Sequence, residues 1–469
     1  MGRLFSLSLF KPSGCWWWCP FSPAHPEALH TLRARTILTT AKNMHRYLNK
    51  IALSCRGSKA NAPGRAKKVL GERIVAPKRA KSTMVAAMEE DDLKHVPFGE
   101  MGKGVYSDAT KGCFLVFDRM SADVIRAVQK SLVQRRELGL AEQTPYRVAD
   151  FGTADAGTSL KLMHSICSAV REAEPNTPIE ILYEDQSIND WTSVFHRVQG
   201  VIPTEGLAGK ASLSETYGDV YAMASGTSFY SQIAPSGSVD VSFSSTAMHW
   251  LTTSPSTITD ALHSAYTSDV AAKRLYEERA LEDFKRILSK RSSELRKGGY
   301  LVLANFSTDE AGQFLGNTHR LPNSMHHQFA DIWASIATPE MFVNTNFPNQ
   351  YRTKEEHLEP FRQADGDFSG MRVVSYENDQ VNCPFQSKFK NGEYEGILSN
   401  KEYADQYILT TRTWSNSTFV AGAVNGGATL EEANALTDEM FRQYSDRVAE
   451  DPTNHGMDYV HGYMTFQKV

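Results

Sequence analysis

Apolar runs alternate with segments of helical periodicity through the middle of the chain. The run at residues 147–150 ends at an acid, Asp150, and a small-residue segment follows at residues 152–157. Apolar residues then recur at helical spacing, at Leu160, Met163, Cys167 and Val170. A strand, a tight turn and a helix start are predicted. Glycine allows close backbone approach, and a helix N-terminus offers unpaired N–H groups, so the pattern indicates a nucleotide-like cofactor.

The same alternation continues beyond this turn. It predicts helices at residues 118–140, 257–297 and 430–448, and strands at residues 178–183, 239–243, 300–304, 406–411 and 417–421. Strands that alternate with helices favour an α/β fold with a mostly parallel sheet covered on both faces. Residues 200–217 are predicted to form a loop, and Lys297-Gly-Gly299 to end the long helix. The irregular, aromatic-rich residues 307–395 are expected to cap the strand ends, where such folds bind ligands.

Residues 1–90 differ in composition from the rest. Residues 1–87 contain 16 Lys and Arg against 2 Asp and Glu, whereas the formal net charge of the whole chain is −4. A basic, acid-poor segment without apolar periodicity predicts a disordered leader such as a transit peptide. The alternative is a misassigned start, with the true one at Met84 or Met88. We expect a chloroplast or mitochondrial location if the leader is real and a cytoplasmic one otherwise.

The remaining composition excludes several classes of partner. The body after the leader is strongly acidic, so we expect no nucleic-acid binding. No uninterrupted apolar stretch approaches eighteen residues, so no membrane span is expected. The 6 cysteines show no disulfide framework and no zinc-type pairing, which fits a reduced compartment. His326-His327 has no second ligand pair at a recognisable spacing, so we expect a surface pair and no metal.

Five blocks of the sequence carry a resemblance to a known family. They are Val148-Ala-Asp-Phe-Gly152, Tyr183-Glu-Asp-Gln-Ser-Ile-Asn-Asp-Trp191, Gly226-Thr-Ser-Phe-Tyr230, Phe243-Ser-Ser-Thr-Ala-Met-His-Trp-Leu251 and Glu294-Leu-Arg-Lys-Gly-Gly-Tyr-Leu-Val-Leu303. In this order they resemble the SABATH family of carboxyl methyltransferases. The resemblance leaves the leader out and implies a methyltransferase domain over residues 95–469. Its implied fold is a Rossmann-like class I methyltransferase sheet with a helical cap domain over the active site.

The resemblance implies S-adenosylmethionine as the cofactor and assigns residues to it. Asp185 matches the acid that binds the ribose hydroxyls, and Gln186 lies beside the adenine. Ser228 and Phe229 hold and cover the adenine ring, which suits the flat face of a phenyl group. Further positions assigned to the cofactor are Tyr106, Thr110, Asp150, Gly152, Ser244 and Ser245. Asp155, which lies in the turn, is expected either to face the methionine amine of the cofactor or to cap the helix.

The substrate block departs from the family pattern. His249 and Trp250 match the residues that hydrogen-bond a substrate carboxylate. Cys113 falls where the family has a glutamine that helps to grip this group, and Thr246 falls where it has a tyrosine. The resemblance therefore implies a divergent member that acts on an unusual acid. Without the resemblance, a His-Trp pair such as His249 and Trp250 is typical of side chains that pack beneath the start of a helix.

The implied reaction forms the methyl ester of a small hydrophobic or aromatic carboxylic acid. A carboxylic acid is already ionised at pH 7, so no acid–base catalyst is expected. Two alternatives stay open. Cys113 and Thr246 both weaken the grip on a carboxylate, which keeps N-methylation of a purine-like heterocycle possible. A non-catalytic cofactor-binding relative is the other. The family also implies a homodimer.

Overall fold

Eight strands form one mixed sheet in the computed structural model, which describes residues 98–469 except 141, 143, 208–211 and 363–365. The predicted leader, residues 1–90, lies outside the described residues. The strand order is β3-β2-β1-β4-β5-β8-β7-β6. The strands are β1 Tyr146–Phe151, β2 Ile179–Asp185, β3 Val220–Gly226, β4 Val239–Ser245, β5 Leu295–Phe306, β6 Asp367–Phe368, β7 Met371–Val381 and β8 Tyr459–Lys468.

Helices connect and cover these strands. They are α1 Val105–Ala109, α2 Lys111–Glu137, α3 Leu160–Ala173, α4 Trp191–Val198, α5 Leu213–Tyr217, α6 Val270–Glu294, α7 His326–Ile336, α8 Pro339–Val343, α9 Lys354–Leu358, α10 Pro384–Lys390, α11 Asn400–Asn425 and α12 Leu430–Glu450. A short 3₁₀ turn, Glu359–Phe361, follows α9. The helices α5, α9, α11 and α12 each begin with a capping box, in which a Ser or Thr and a Glu three residues later satisfy each other's backbone N–H groups.

The first five strands pair in parallel, and β8 and β7 continue the sheet antiparallel. Their side chains pack against helices on both faces. Val148 and Val241 belong to the core that includes α2 and α3, whereas Leu301 packs with Phe284 and Ile287 of α6. Continuous apolar strands therefore bury both sides. The predicted α/β fold with a mostly parallel sheet is confirmed, and the carboxyl ends of β1 to β4 meet at one edge.

The predicted strands at residues 406–411 and 417–421 are wrong, because both lie within helix α11. The stretch is rich in Thr, Ile, Val and aromatic residues, which favour strands when they are read locally. Helix α11 buries residues around most of its circumference, including Tyr407, Thr411 and Phe419. A helix buried on all sides lacks the one-sided apolar stripe that makes helical periodicity visible.

Three other boundaries differ from the predictions. The long helix begins only at Val270, and its end at Glu294 precedes Gly298 and Gly299, which lie within β5. Residues 200–217 contain the short helix α5 rather than a loop throughout. Part of the predicted cap, Met371–Val381, is the sheet strand β7 and not a cover. This strand pairs along its length only with β8. Its outer face is partly polar, so the sequence gives it no continuous apolar run.

Helices α7 and α8 follow β5 and pack against α12 and α11, whereas α9 packs against α6. Thr410 of α11 donates from Oγ1 to the carbonyl oxygen of Ala109 in α1 at 2.6 Å. The cover over the strand ends therefore draws on α11, which lies beyond the predicted range of residues 307–395. In the described ranges, no helix has both the length and the apolar character that a membrane crossing requires.

Candidate cofactor and substrate cavities

The turn after β1 is held together by Asp150. Its carboxylate accepts hydrogen bonds from Thr153 Oγ1 at 3.0 Å and from Ser159 Oγ at 2.6 Å. Burial is the main cause that raises the pKa of Asp150 to about 6. The side chain is 1% exposed and faces the turn rather than a cavity. The structure thus gives Asp150 a role in shaping the turn, where the sequence predicted contact with the cofactor.

Gly152 begins this turn in the left-handed region, with φ of 69°. A Cβ atom added to it would lie 2.4 Å from Cβ of Ala247, so the turn packs directly against the segment that follows β4. The main-chain N–H of Gly152 donates to the carbonyl oxygen of Glu184 at 2.9 Å. Ala154 and Ala156 also have positive φ, at 50° and 61°. Such conformations cost free energy in residues with a Cβ and concentrate at functional sites.

Asp185 ends β2 beside this turn. Its carboxylate accepts hydrogen bonds from the main-chain N–H of Ala154 and of Gln186, both at 2.8 Å. Burial raises the pKa of Asp185 to about 6, and the two N–H donors oppose that shift. Its neighbour Glu184 is fully buried and accepts from the N–H of Gly152 at 3.1 Å. Burial also raises the pKa of Glu184 well above its ordinary value.

A cavity of about 610 Å³ opens at the carboxyl ends of β1 to β4. We call it the larger cavity. Eight residues that the sequence singled out line it: Tyr106, Gly152, Asp185, Gln186, Ser228, Phe229, Thr246 and Trp250. The sequence did not single out Ile188, Thr253 or Arg286, which also line it. The volume lies in the range of about 300–1,000 Å³ that is usual for small-molecule sites.

A second cavity, of about 40 Å³, adjoins the first, and we call it the smaller cavity. Its wall is mostly aromatic. The lining residues are Tyr106, Thr110, Cys113, Thr246, His249, Trp250, Phe306, Leu315, Asn349, Tyr351, Trp414, Met457 and Tyr459. Tyr106, Thr246 and Trp250 line both cavities, so the two meet at these three side chains.

The helix pair α1 and α2 brings Thr110 and Cys113 to the smaller cavity only. Thr110 Oγ1 donates to the carbonyl oxygen of Tyr106 at 2.7 Å. The sequence predicted Thr110 as a cofactor contact, but it does not line the larger cavity. Burial raises the pKa of the Cys113 thiol to about 11, so the thiol stays neutral at physiological pH. Cys113 therefore brings a weak hydrogen-bonding group to the wall.

The segment after β4 presents the predicted substrate residues. Thr246 has φ of 60°, a strained conformation that turns the chain sharply between the two cavities. His249 is 4% exposed, and its ring meets Phe306 edge-on with the ring centres 4.9 Å apart. The ring centres of His249 and Trp250 are 5.7 Å apart. The structure thus brings His249, Trp250, Thr246 and Cys113 together on one wall.

Three predicted cofactor residues lie behind the cavity walls. Asp155 accepts hydrogen bonds from the N–H and hydroxyl of Ser107 and lies 3.6 Å from Arg197. Ser244 Oγ donates to the carbonyl oxygen of Phe151 at 2.9 Å. Ser245 Oγ is 3.1 Å from Thr246 Oγ1. These side chains are engaged by protein groups and line neither cavity.

Several wall residues of the smaller cavity were missed from the sequence. Tyr351 and Asn349 come from the irregular stretch between α8 and α9, and Trp414 comes from α11. Tyr459 begins β8, a strand that was not predicted. The only signal in the sequence was the density of aromatic residues, which does not say which of them converge.

His326 corrects the prediction of a surface histidine pair. It is 2% exposed, and its Nε2 lies 2.8 Å from the Tyr351 hydroxyl. His327 alone is exposed. Burial lowers the pKa of His326 well below its ordinary value, so the ring is neutral. Within the part of the chain that is described, no three or more His, Cys, Asp or Glu side chains form a group that could hold a metal ion.

The strand order and the cavity at the ends of β1 to β4 define a Rossmann-like fold with a ligand site at the carboxyl ends of its strands. Residues 115–469 match the family described as SAM dependent carboxyl methyltransferase, and the chain belongs to this family. It is therefore an S-adenosylmethionine-dependent enzyme that methylates the carboxyl group of a small acid. Methyltransferase FUS9 of Gibberella fujikuroi is 22% identical over 319 residues, which are 65% of this chain and 83% of the relative.

Two further relatives carry the same class of name. Loganic acid O-methyltransferase of Catharanthus roseus is 22% identical over 341 residues, which are 67% of this chain and 86% of that protein. A solved structure of loganic acid methyltransferase with SAH matches with a TM-score of 0.60 at 17% identity. That match covers 79% of this chain and 98% of the solved chain, and it shows that the two share a fold.

Proposed function

We propose that the larger cavity binds S-adenosylmethionine and that the smaller cavity receives a small hydrophobic or aromatic carboxylic acid. The observation that carries this proposal is the junction of the two cavities at Tyr106, Thr246 and Trp250. Methyl transfer needs the acceptor oxygen and the methyl carbon to meet in line. Two cavities that share one short wall supply that meeting point.

The residues of the larger cavity fit the cofactor. The Asp185 carboxylate at the end of β2 suits two ribose hydroxyls, because one carboxylate can accept both. Phe229 is half-buried and presents an aromatic ring to the cavity, which suits the adenine. The absence of a side chain at Gly152 lets the chain approach a ligand closely. When bound, the cofactor supplies a methyl group activated by a sulfonium.

The protein's own part is to bind and orient the acid. The indole N–H of Trp250 and a ring N–H of His249 are donors of the kind that a carboxylate accepts. The acid is already ionised at pH 7, so these residues need not move a proton. Holding the reacting atoms in line and excluding water can supply about 7–11 kcal/mol of the barrier reduction.

The wall of the smaller cavity favours an apolar, flat acid. Phe306, Tyr351, Trp414 and Tyr459 all contribute aromatic rings to it. Its volume of about 40 Å³ is a few times the roughly 10–15 Å³ that a single water needs in a cavity. Binding of an acid the size of benzoate must therefore move some of these rings. The names of two relatives, loganic acid and indole-3-acetate O-methyltransferases, support a ring-bearing acid.

Incubation with methyl-labelled S-adenosylmethionine tests this proposal. The panel holds benzoate, salicylate, indole-3-acetate and a linear fatty acid, with xanthine and 7-methylxanthine as heterocyclic acceptors. We expect label in an organic-soluble product from a ring-bearing acid, released as methanol by mild base. A base-stable product from a purine would establish N-methylation instead. Calorimetric binding of S-adenosylhomocysteine without any product would favour a non-catalytic protein.

A further inference from the structure

Asn349 lies directly opposite Trp250. The two residues form an isolated antiparallel bridge between the loop before α9 and the segment after β4. The N–H of Gln350 donates to the carbonyl oxygen of His249 at 3.0 Å, and the N–H of Leu251 donates to that of Pro348 at 2.7 Å. Residues opposite each other in such a pair project to the same side. The Asn349 side chain therefore stands beside the indole of Trp250, and both line the smaller cavity.

His263 lies beside the Asn349 amide. Its Nδ1 accepts a hydrogen bond from the N–H of Ala265 at 2.9 Å, so the proton of the neutral ring resides on Nε2. Burial lowers the pKa of His263 to about 4, and the Asn349 side chain opposes that shift. Nε2 of His263 and Oδ1 of Asn349 are both buried, and within the described residues neither reaches a partner at full hydrogen-bond geometry. The Nε2–H donor and the Oδ1 acceptor complement each other, and their pairing leaves the Nδ2 amino group for the cavity.

The wall of the smaller cavity lacks a strong hydrogen-bond donor at Cys113. The resemblance assigns this position to a glutamine that helps to grip the carboxylate, and a neutral thiol is a much weaker donor than an amide. Asn349 is 1% exposed and carries the only side-chain amide on the wall of the smaller cavity within the described ranges.

We propose that Asn349 Nδ2 donates a hydrogen bond to the substrate carboxylate, beside Trp250. This bond replaces the contact that the resemblance assigns to a glutamine at the position of Cys113. His263 is a positioning residue that orients this amide. The assignment rests on the proposed function, because it requires a carboxylate in the smaller cavity. We expect this contact to favour an acid over the corresponding neutral amide.

The test compares acids with their primary amides in the presence of S-adenosylhomocysteine. Calorimetry measures benzoate against benzamide and indole-3-acetate against indole-3-acetamide, at pH 8. The variant Asn349→Asp keeps an oxygen for His263 but replaces the amino group by an acceptor. Asn344→Asp is the control, because it makes the same charge change at an exposed position of the same loop.

We expect Asn349→Asp to weaken acid binding at least ten-fold, to bind the amide more tightly than the acid, and to keep the wild-type affinity for S-adenosylhomocysteine. Asn344→Asp should behave as the wild type. Acid binding within two-fold of the wild type overturns the role of Asn349. If the wild type binds S-adenosylhomocysteine but no acid, the proposed function itself fails. If Asn349→Asp loses S-adenosylhomocysteine binding, Asn349→Leu replaces it in the test. A ten-fold loss of acid binding in that variant supports the role of Asn349, and acid binding within two-fold of the wild type overturns it.

A substitution of His263 tests its positioning role separately. Replacement by Phe keeps a ring of similar size but removes the donor to Asn349. We expect a higher KM for the acid with an unchanged affinity for S-adenosylhomocysteine, and no further increase when Asn349→Leu is added. Additive effects of the two changes would show that His263 does not act through Asn349.

Discussion

The main-chain N–H of Ala154 donates to Asp185 Oδ2 at 2.8 Å. One carboxylate therefore ties the turn after β1 to the end of β2, and the same side chain lines the larger cavity. Because Ala154 is held with φ of 50°, the hydrogen bond also stabilises a backbone conformation that alanine rarely adopts. The shape of this turn and the proposed ribose contact thus depend on the same residue, Asp185.

This dependence predicts a pH profile for cofactor binding. Burial raises the pKa of Asp185 to about 6, so the carboxylate is charged above that pH and is neutralised as the pH falls through it. Binding of S-adenosylhomocysteine should therefore weaken between pH 7 and pH 5. Asp185→Asn should lower the affinity at pH 8 by about 10- to 100-fold, since a hydrogen bond to a charged group is worth roughly 1.5–3 kcal/mol. Calorimetry across this pH range measures both effects.

Asp150 is the control, because the pKa of its carboxyl is also raised to about 6 although it faces away from the cavity. In Asp150→Asn the fall in affinity below pH 7 should remain. A pH profile in Asp185→Asn that matches the wild type would mean that another group controls the binding.

Gly152→Ala should destabilise the fold through a steric clash with Ala247. The added Cβ would lie 2.4 Å from Cβ of Ala247, in addition to the strain of a positive φ. Gly312→Ala is matched, because Gly312 has φ of 76° and open space around it. We expect the free energy of unfolding to fall by about 1–3 kcal/mol more for Gly152→Ala, the usual cost of overpacking. Urea denaturation measures the free energy of unfolding of both variants. Equal losses would show that the structure around Gly152 shifts to accommodate the added Cβ.

His249→Ala should separate substrate binding from cofactor binding. His249 lines only the smaller cavity, so its loss should raise the KM for the acid or lower kcat by about ten-fold or more. The affinity for S-adenosylhomocysteine, measured by calorimetry, should stay within two-fold of the wild type. A parallel loss of cofactor affinity would mean that the two cavities are not independent at this residue.

Cys113 and Cys167 should resist alkylation in the folded enzyme. Both are buried, and burial raises the pKa of their thiols to about 11 and about 12. The reactive thiolate is therefore scarce at pH 8. Peptide mass spectrometry after iodoacetamide treatment should find these two residues unmodified in the native enzyme. Both should be modified when the enzyme is treated in denaturant. Rapid labelling of native Cys113 would show that the smaller cavity opens to solvent.

The sequence was sufficient for β1, β2, β4 and β5, because each contains a short apolar run. It missed β3, most of whose residues are exposed or half-buried. Asp185 and Phe229, which the resemblance assigns to the cofactor, both line the larger cavity, and Trp250 lies where the two cavities meet; their roles stay predictions. The sequence failed for α11, whose buried surface extends around the helix. It failed for β7 as well, because that strand has a partly polar face at the edge of the sheet.

Asn349 shows why the rest of the site could not be predicted from the sequence. Its place beside Trp250 depends on an isolated bridge between residues 99 positions apart in the chain. No local pattern marks such a pairing, and the orientation that we propose for its amide depends on a third segment, which carries His263. The side chains of Asp150 and Ser244 hydrogen-bond protein groups around the turn and line neither cavity, since a polar residue beside such a turn can stabilise the turn itself.

A crystal structure with S-adenosylhomocysteine and the best acid of the panel tests whether the two cavities hold cofactor and substrate. We expect the adenosine beside Phe229 and Asp185 in the larger cavity. We expect the acid in the smaller cavity, with its carboxylate at the junction near Tyr106, Thr246 and Trp250 and pointing toward the cofactor sulfur. An acid bound elsewhere, or with its carboxylate directed away from that junction, would overturn the proposed function of the two cavities.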